Sequence, residues 1–368
     1  MIFWYALFAI VLFLFSYTQV DLNLTISEST IFQTIQKAFQ YIGFYQRPIT
    51  TYWFLGILVW FYGLYAVTLH LIQKGTLTAK ELWKIVLFLT AILLFSYPAF
   101  SYDMFNYMFT AKTILVYHKN PYVVIPLQFS GVEPWLSFMR WTHLPSAYTP
   151  LWIVFTLPMY LSGLGYFLTT LWSIKALAAA GYVGTVWFVG KILAKTDPKH
   201  SALGMGIVAL NPLMIIESLV SGHNDVVMMV FAMMSVYALV HGRKLTSFFL
   251  MSVATAAKFM TIFLLPVMAF GYRPMLFLAA MIVGFILVVL QREILPWYFV
   301  WLIPFIALLP RSRLLLIISS AFSLGLLLRY APYFYLGHWN DPVPTIKLWV
   351  TLVPPVLASI FLLLRKRV

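Results

Sequence analysis

Apolar runs of roughly twenty residues, the length a helix needs to cross a bilayer, recur from one end of this chain to the other. The first covers residues 2–20 and leads into Asp21 without the basic leader and small-residue cleavage site of a removed signal peptide, so it reads as a retained span. Residues 21–48 are polar and partly amphipathic. There Phe32, Ile35, Phe39 and Ile42 recur at helical spacing, which predicts a helix lying on the membrane surface. Further apolar stretches cover 51–72, 85–100, 150–168, 169–193, 202–219, 226–240, 245–270, 275–290, 297–309, 314–328 and 348–364. Lys258 and Pro266 interrupt the 245–270 stretch, which predicts a kinked helix or a re-entrant pair lining a cavity. The expected fold is all-α: a polytopic transmembrane helix bundle of roughly 10 to 13 spans. It forms a single domain over 1–368 with no separate soluble domain.

Composition agrees with that pattern, since 62% of residues are hydrophobic and only 9% charged. The net charge of +14, from 24 Lys and Arg against 10 Asp and Glu, does not point to nucleic acid, because the bases sit in short loops between apolar stretches. Lys74, Lys80 and Lys84; Lys191, Lys195 and Lys199; Arg243 and Lys244; Arg311 and Arg313; and Arg365, Lys366 and Arg367 are all expected on the cytoplasmic side. That orientation puts the long loop 101–148 outside and requires an odd number of crossings between Tyr148 and Lys191. Cysteine is absent, which excludes disulfides, cysteine-metal sites and thiol catalysis. Neither a Walker motif nor a dinucleotide-binding glycine pattern is present, so ATP is not an expected energy source. Aromatic residues, at 18%, exceed what interfacial belts require and leave a surplus for lining a groove.

Ionisable groups at membrane depth are costly and therefore mark candidate sites. In SYDMFNYMFTAKTILVYHKNPY, Asp103, Asn106 and Tyr107 share a helical face, while Lys112 points the other way. An N-cap role for Asp103 explains the same position without function. In NPLMIIESLVSGHND, Glu217, Ser221, His223, Asn224 and Asp225 make a polar tip, which also reads as a tight turn using Gly222 and Asn224. One histidine near carboxylates falls short of a zinc ligand set, so no metal ligand is assigned. WTHLPSAYTPLW carries His143 and Tyr148, with Arg140 just before it. Lys258 is a lone cation in the middle of an apolar stretch, where a partner or an anionic ligand is favoured over snorkelling. Lys175 lies nearer an end and is expected to snorkel. In QREILPWYFVW, Arg292 suits a phosphate, although a local pair with Glu293 beside Trp297 and Tyr298 accounts for the same letters.

An isolated aspartate, cations and aromatic surfaces on one membrane face are parts for moving a sugar from a lipid phosphate to a hydroxyl. That reaction needs a base for the acceptor and cations for the departing phosphate, without the paired carboxylates of a glycosidase. In their order, SYDMFNY with HKNPY, HLPSAYTPLW, NPLMIIESLVSGHNDVVM, AAKFMTIFLLP and PWYFVWLIP resemble the GT-C superfamily of polytopic glycosyltransferases. Within it, they are similar to the polyprenyl-phosphomannose-dependent alpha-1,6-mannosyltransferases of bacteria. The resemblance runs from Asp103 to Pro304 and implies a GT-C-like bundle with amphipathic outer-loop helices. It also implies a polyprenyl-phosphate sugar donor, a glycan or lipid acceptor, and a catalytic aspartate in an early outer loop, which Asp103 matches. His223, Asn224 and Asp225 match the family's polar tip, and Lys258 matches the basic residue before LLP. The chain departs from a PYGP-like motif, reading Tyr148, Thr149 and Pro150.

The expectation is then an integral, multi-pass membrane enzyme with an extracytoplasmic site that transfers a hexose, with mannose the expected sugar, by inversion. Asp103 is the expected base. Lys258 and Arg140, with His143, Lys112 and Arg292 as further candidates, hold the donor phosphate. His223, Asn224 and Asp225 orient sugar hydroxyls or the acceptor, and Tyr107, Tyr148 and Tyr298 complete the substrate-binding set. Membrane lipids are expected neighbours, nucleic acid is not a partner, no cofactor is assigned, and a divalent metal is not indicated. Two alternatives from other classes are a transporter or flippase, which is expected to show inverted repeats not visible here, and a non-catalytic envelope-assembly subunit. The latter needs neither Asp103 nor the polar tip.

Overall fold

The computed structural model describes residues 1–22 and 24–365; of the basic residues expected at the C-terminus, Lys366 and Arg367 lie outside them. The chain is 75% helical, with no strand among the described residues. It opens with α1 (Ile2–Tyr17), α2 (Thr30–Gln40), α3 (Arg47–Gln73) and α4 (Ala79–Leu93). At one end of α1, Tyr5 donates to Thr68 near the end of α3; at the other, Tyr17 donates to the Phe95 carbonyl just beyond α4. A capping box between Thr78 and Glu81 starts α4.

The surface helix α2 turns its glutamines inward. Gln36 and Gln40 are buried and donate to the carbonyls of Leu24 and Asp21, while Ile31 and Ile35 are exposed. Thr30, Thr34 and Lys37 are exposed beside them, so the helix presents a mixed apolar and polar surface outward, which suits a helix lying at a membrane surface.

Next come α5 (Asp103–Leu115), α6 (Pro150–Ser162) and α7 (Phe167–Thr196). The 30 residues of α7 reach about 45 Å. Its first residue packs on Phe105 and Phe138, and beyond its last, Asp197 pairs with Arg311 at 2.8 Å. The Asp103 end and the basic-loop end of the bundle are therefore separated by the length of α7. Only 13 residues long, α6 is anchored at Thr149 to the Ala257 carbonyl and at Tyr160 against Trp135, so the two stretches between Tyr148 and Lys191 hold one long helix.

Past α7, α8 (Ser201–Ala209) and α9 (Pro212–Ile215) run into a π-helical turn, Ile216–Val220, and the pair is bent by 57°. Then α10 (Asp225–Val240) and α11 (Lys244–Ala257) pack as a hairpin. The predicted break in 245–270 is present: Lys258 is extended, and a 3-10 turn, Phe259–Phe263, leads to α12 (Leu264–Met268). The chain closes with α13 (Pro274–Val289), a 3-10 turn at Pro296–Trp301, α14 (Ile303–Ala307), α15 (Arg313–Leu328), α16 (Ala331–Leu336) and α17 (Val343–Arg365).

Among the described residues, four helices are long and apolar enough to cross a membrane: Arg47–Gln73, Phe167–Thr196, Arg313–Leu336 and Val343–Leu364, with a fifth if the bent α8–α9 pair counts as one span. Most of the other apolar stretches form shorter helices. A 16-residue helix such as α1 reaches about 24 Å, short of a hydrocarbon core of about 30 Å. A single buried apolar cluster nevertheless runs from Tyr5 to Phe334.

Lys175 does not snorkel. It is buried in α7, and its ammonium donates to the carbonyls of Leu93 and Ser96 and to the Ser96 hydroxyl, capping the end of α4. Replacing it by methionine leaves the Ser96 carbonyl buried without a donor, while the Leu93 carbonyl keeps the Ser96 N–H and hydroxyl. The Lys175→Met protein is expected to lose roughly 1–3 kcal/mol of stability, read as an earlier unfolding midpoint in detergent; an unshifted midpoint would show that the contact does not hold α4.

Candidate active site

The chain leaves α4 through an irregular segment, Leu94–Tyr102, that delivers Asp103 to the first position of α5. Tyr102 occupies the N-cap position without a side-chain cap, and the Ser101 hydroxyl accepts from the Asp103 N–H at 3.2 Å, so the carboxylate of Asp103 is not spent on a cap. Instead its Oδ1 accepts from the Tyr148 hydroxyl at 3.3 Å, and its Oδ2 lies 3.4 Å from Nδ1 of His223. A helix N-terminus favours the negative charge there. Asp103 sits in the lining of a cavity of about 390 Å³, with Asn106 on the same helical face, Tyr148, Trp141 and Trp297 as aromatic wall, and Arg292 as its cation. That size fits a small-ligand pocket. The two arms of the outer loop that roof it are tied together, Ser146 N–H donating to the Pro121 carbonyl and Leu127 N–H to that of Thr142.

The π-helical turn after α9 brings up the other half. π turns concentrate at functional sites, and this one holds Glu217, fully buried, with one oxygen accepting from the Tyr330 hydroxyl at 2.8 Å. Gly222 follows at φ +71, and a Cβ there would strike Met104, so the turn needs glycine. The ring of His223 is stacked on Trp297 at 4.1 Å and set between two carboxylates, Asp103 on one side and Glu217, 3.3 Å from Nε2, on the other. At these distances both contacts are long, and hydrogen bonding and charge both draw the ring to the two carboxylates. Burial by itself would pull the imidazole pKa down; the flanking Asp103 and Glu217 outweigh it and raise the value from 6.5 to about 9.

Beside it, Asp225 opens α10, fully buried. Lys258 approaches it to 2.7 Å, the Trp301 indole donates to it, and the same ammonium donates to the Asn224 side chain at 3.0 Å. Two charges removed from water are stable together only when each is compensated in this way. The Asn224 N–H reaches the Tyr107 hydroxyl at 3.5 Å, and Tyr107 packs edge-on against Tyr148 and Trp152. Tyr298 stacks on Trp301 and completes the layer. Among the described residues, no group of three or more His, Asp and Glu is placed to hold a metal ion.

Asp103, Tyr107, Tyr148, His223, Asn224, Asp225, Lys258, Arg292 and Tyr298 thus converge. Three expected residues do not join them. Lys112 pairs with the buried Glu133 at 2.7 Å and lies over Trp135, bracing the outer loop. Arg140 is held by Asp21 and by the Tyr102 hydroxyl and ring, tying that loop to the end of α1. His143 is exposed on the loop, away from the cavity lining. The local Arg292–Glu293 pair is not formed either: Glu293 bonds Arg329 and Lys347. Sequence reasoning did not assign Glu217, Trp297, Trp301 and Tyr330 to the site. Glu217 stands in the polar tip and Trp297 and Trp301 in QREILPWYFVW, which mark them without giving a role, whereas nothing sets Tyr330 apart among 67 aromatic residues (13 Trp, 22 Tyr and 32 Phe).

Residues 7–274 match the family described as alpha-(1->6)-mannopyranosyltransferase, N-terminal domain, the MptA_B family. The chain belongs to this family. Membership supports a glycosyltransferase with a role in mannosyl transfer, and the several apolar helices are compatible with a membrane protein. No curated protein and no solved structure matches the chain. In this MptA_B family chain, Asp103, the polar tip and Lys258 fall inside the matched segment, whereas Arg292, Trp297, Trp301 and Tyr330 lie beyond it.

Two outcomes follow from this geometry. Gly222→Ala forces an L-residue into a left-handed conformation, at roughly 1–2 kcal/mol, and pushes on Met104 beneath Asp103. Unfolding in detergent should shift down and transfer should fall, whereas a wild-type melt and rate would remove the conformational requirement. Because the folded pKa of His223 is raised, its stabilisation is full below pH 6.5 and is lost as pH rises through about 9. Wild-type stability should decline across that window, and His223→Gln should flatten the decline; identical pH profiles would deny the buried imidazolium.

Proposed function

We propose that the chain transfers mannose from a polyprenyl-phosphate donor to a hydroxyl of a glycan or lipid acceptor, with inversion, on the extracytoplasmic face of the membrane. The observation that carries this is Asp103: a carboxylate freed from capping, facing a cavity with aromatic walls and an arginine. The acceptor oxygen forms its bond to the anomeric carbon as the bond from that carbon to the phosphate oxygen breaks. The acceptor proton passes to Asp103, and the electron pair leaves on the polyprenyl phosphate. The His223 ring, 3.4 Å from the carboxylate, and the Tyr148 hydroxyl hold Asp103 in place to receive that proton. Trp141, Tyr148 and Trp297 offer flat apolar faces for a sugar ring, and Arg292 offers the positive charge that a departing phosphate requires.

The placement of the site outside rests on charge. The loops carrying Lys191 to Lys199 and Arg311 gather at the end of α7 remote from Asp103, as a positive cytoplasmic face does. We read the shorter helices as the remaining passes of a GT-C-like bundle of roughly 10 to 13 spans, with the bilayer thinned locally and the helices broken where they border the site.

Asp103→Asn keeps the size of the side chain and removes the base. Transfer from polyprenyl-phosphate mannose should fall by about 10²- to 10⁴-fold while donor binding persists; wild-type turnover would take Asp103 out of that role. Because the chain has no cysteine, a single Lys119→Cys reports topology directly. Labelling of intact cells by a membrane-impermeant maleimide is expected, and protection from it until the cells are opened would place the loop in the cytoplasm and reject the orientation.

A further inference from the structure

A second cavity, of about 540 Å³, adjoins the first and lies wholly outside the matched family segment. Arg292 lines both. Around the second stand Arg329, Lys347, Trp339 and Glu293. The Arg329 side chain is only 5% exposed and donates to the Thr351 hydroxyl and the Lys347 carbonyl. Lys347 sits over the Trp339 ring at 4.7 Å. Both cations converge on one carboxylate oxygen of Glu293, a side chain that is itself 54% exposed. A buried arginine fixed by neutral groups and sharing a single movable anion with a lysine is a built seat for an anion. The glutamate now in it is a half-exposed side chain, so an incoming anion can reach the pair and take its place while both cations stay compensated.

The surroundings say what kind of anion. The cavity opens between the end of α13 and the start of α17, where Ile286 and Leu290 of one helix and Leu348 and Leu352 of the other are exposed. An apolar chain can lie along these faces while its charged head enters the seat, which a free, fully hydrated phosphate has no reason to prefer.

We propose that Arg329, Lys347 and Arg292 bind the phosphate of the polyprenyl donor, and that Glu293 occupies the seat as an internal stand-in which the incoming phosphate displaces. This rests on the lipid-phosphate donor reading above. The glutamate sets a threshold: a ligand enters only if its phosphate outcompetes a tethered carboxylate and its tail finds the apolar faces, so anions without a long tail are excluded.

The test is equilibrium binding of radiolabelled decaprenyl phosphate to the full chain in nanodiscs, with inorganic phosphate and phosphatidylglycerol as competitors, and mannose transfer measured on the same preparations. Glu293→Gln should bind about fivefold more tightly, a gain that misfolding does not produce. Lys347→Gln should bind about tenfold more weakly, the worth of one charge-assisted contact, and Lys347→Arg should restore most of it. Unchanged affinity in Glu293→Gln and Lys347→Gln overturns the proposal. So does inorganic phosphate or phosphatidylglycerol competing as well as unlabelled decaprenyl phosphate, the first marking a free-anion site and the second a bulk-lipid one. Binding that follows the cluster without any mannose transfer would sink the donor reading and leave the seat standing; transfer with binding indifferent to the cluster would do the reverse.

Discussion

Everything at the Asp103 end of this protein depends on compensating charge that has been taken out of water. Asp103, Glu217 and Asp225 bring three carboxylates into a small volume, and two cations, His223 and Lys258, answer them. Removing one partner of such a set leaves a buried charge unpaired, at a cost of several kcal/mol. The set therefore locks together segments far apart in the chain: the start of α5, the π turn after α9, the start of α10 and the break after α11. Trp297, Trp301 and Tyr330 seal it from the side of the last helices.

That compensation explains where the helices break. The π turn at Ile216–Val220 rotates Glu217 toward the imidazole, the glycine at 222 turns the chain back, and the extended Lys258 releases its side chain from α11 toward Asp225. Each irregularity would be costly facing lipid, and each here borders protein or a cavity. Short helices follow as the price of a polar site set into an apolar body.

Charge is divided among tasks. Lys112 and Arg140 brace the outer loop, Lys175 caps α4, and Asp197, with its pKa lowered to about 2 chiefly by the hydrogen bond from Arg311, clasps the opposite end. Among the described residues, Arg292 lines the cavity of Asp103, and Arg329 and Lys347, both paired with Glu293, line the adjoining one. A site handling a phosphate-bearing lipid sugar would use this division, one set of charges holding the fold and another meeting the ligand.

The sequence by itself determined the class of fold, because hydrophobic runs and sparse charge admit little else, and it set out the surface helix α2, the break at Lys258 and the shared face of Asp103, Asn106 and Tyr107. It isolated the polar tip because ionisable letters stand out against an apolar background. What it did not contain was partner choice. Lys112, Arg140 and Lys258 look alike as lone cations in one dimension, and only the packing of the loop on α1 and α5, and of α11 on α10, decides that each already has a carboxylate. Likewise, Arg292 and Glu293 are neighbours in sequence, yet the tertiary structure turns one toward Asp103 and the other toward Arg329 and Lys347. Periodicity is a local property that the chain carries with it; the pairing of buried charges is set by which helices meet, and that was fixed only when the bundle closed.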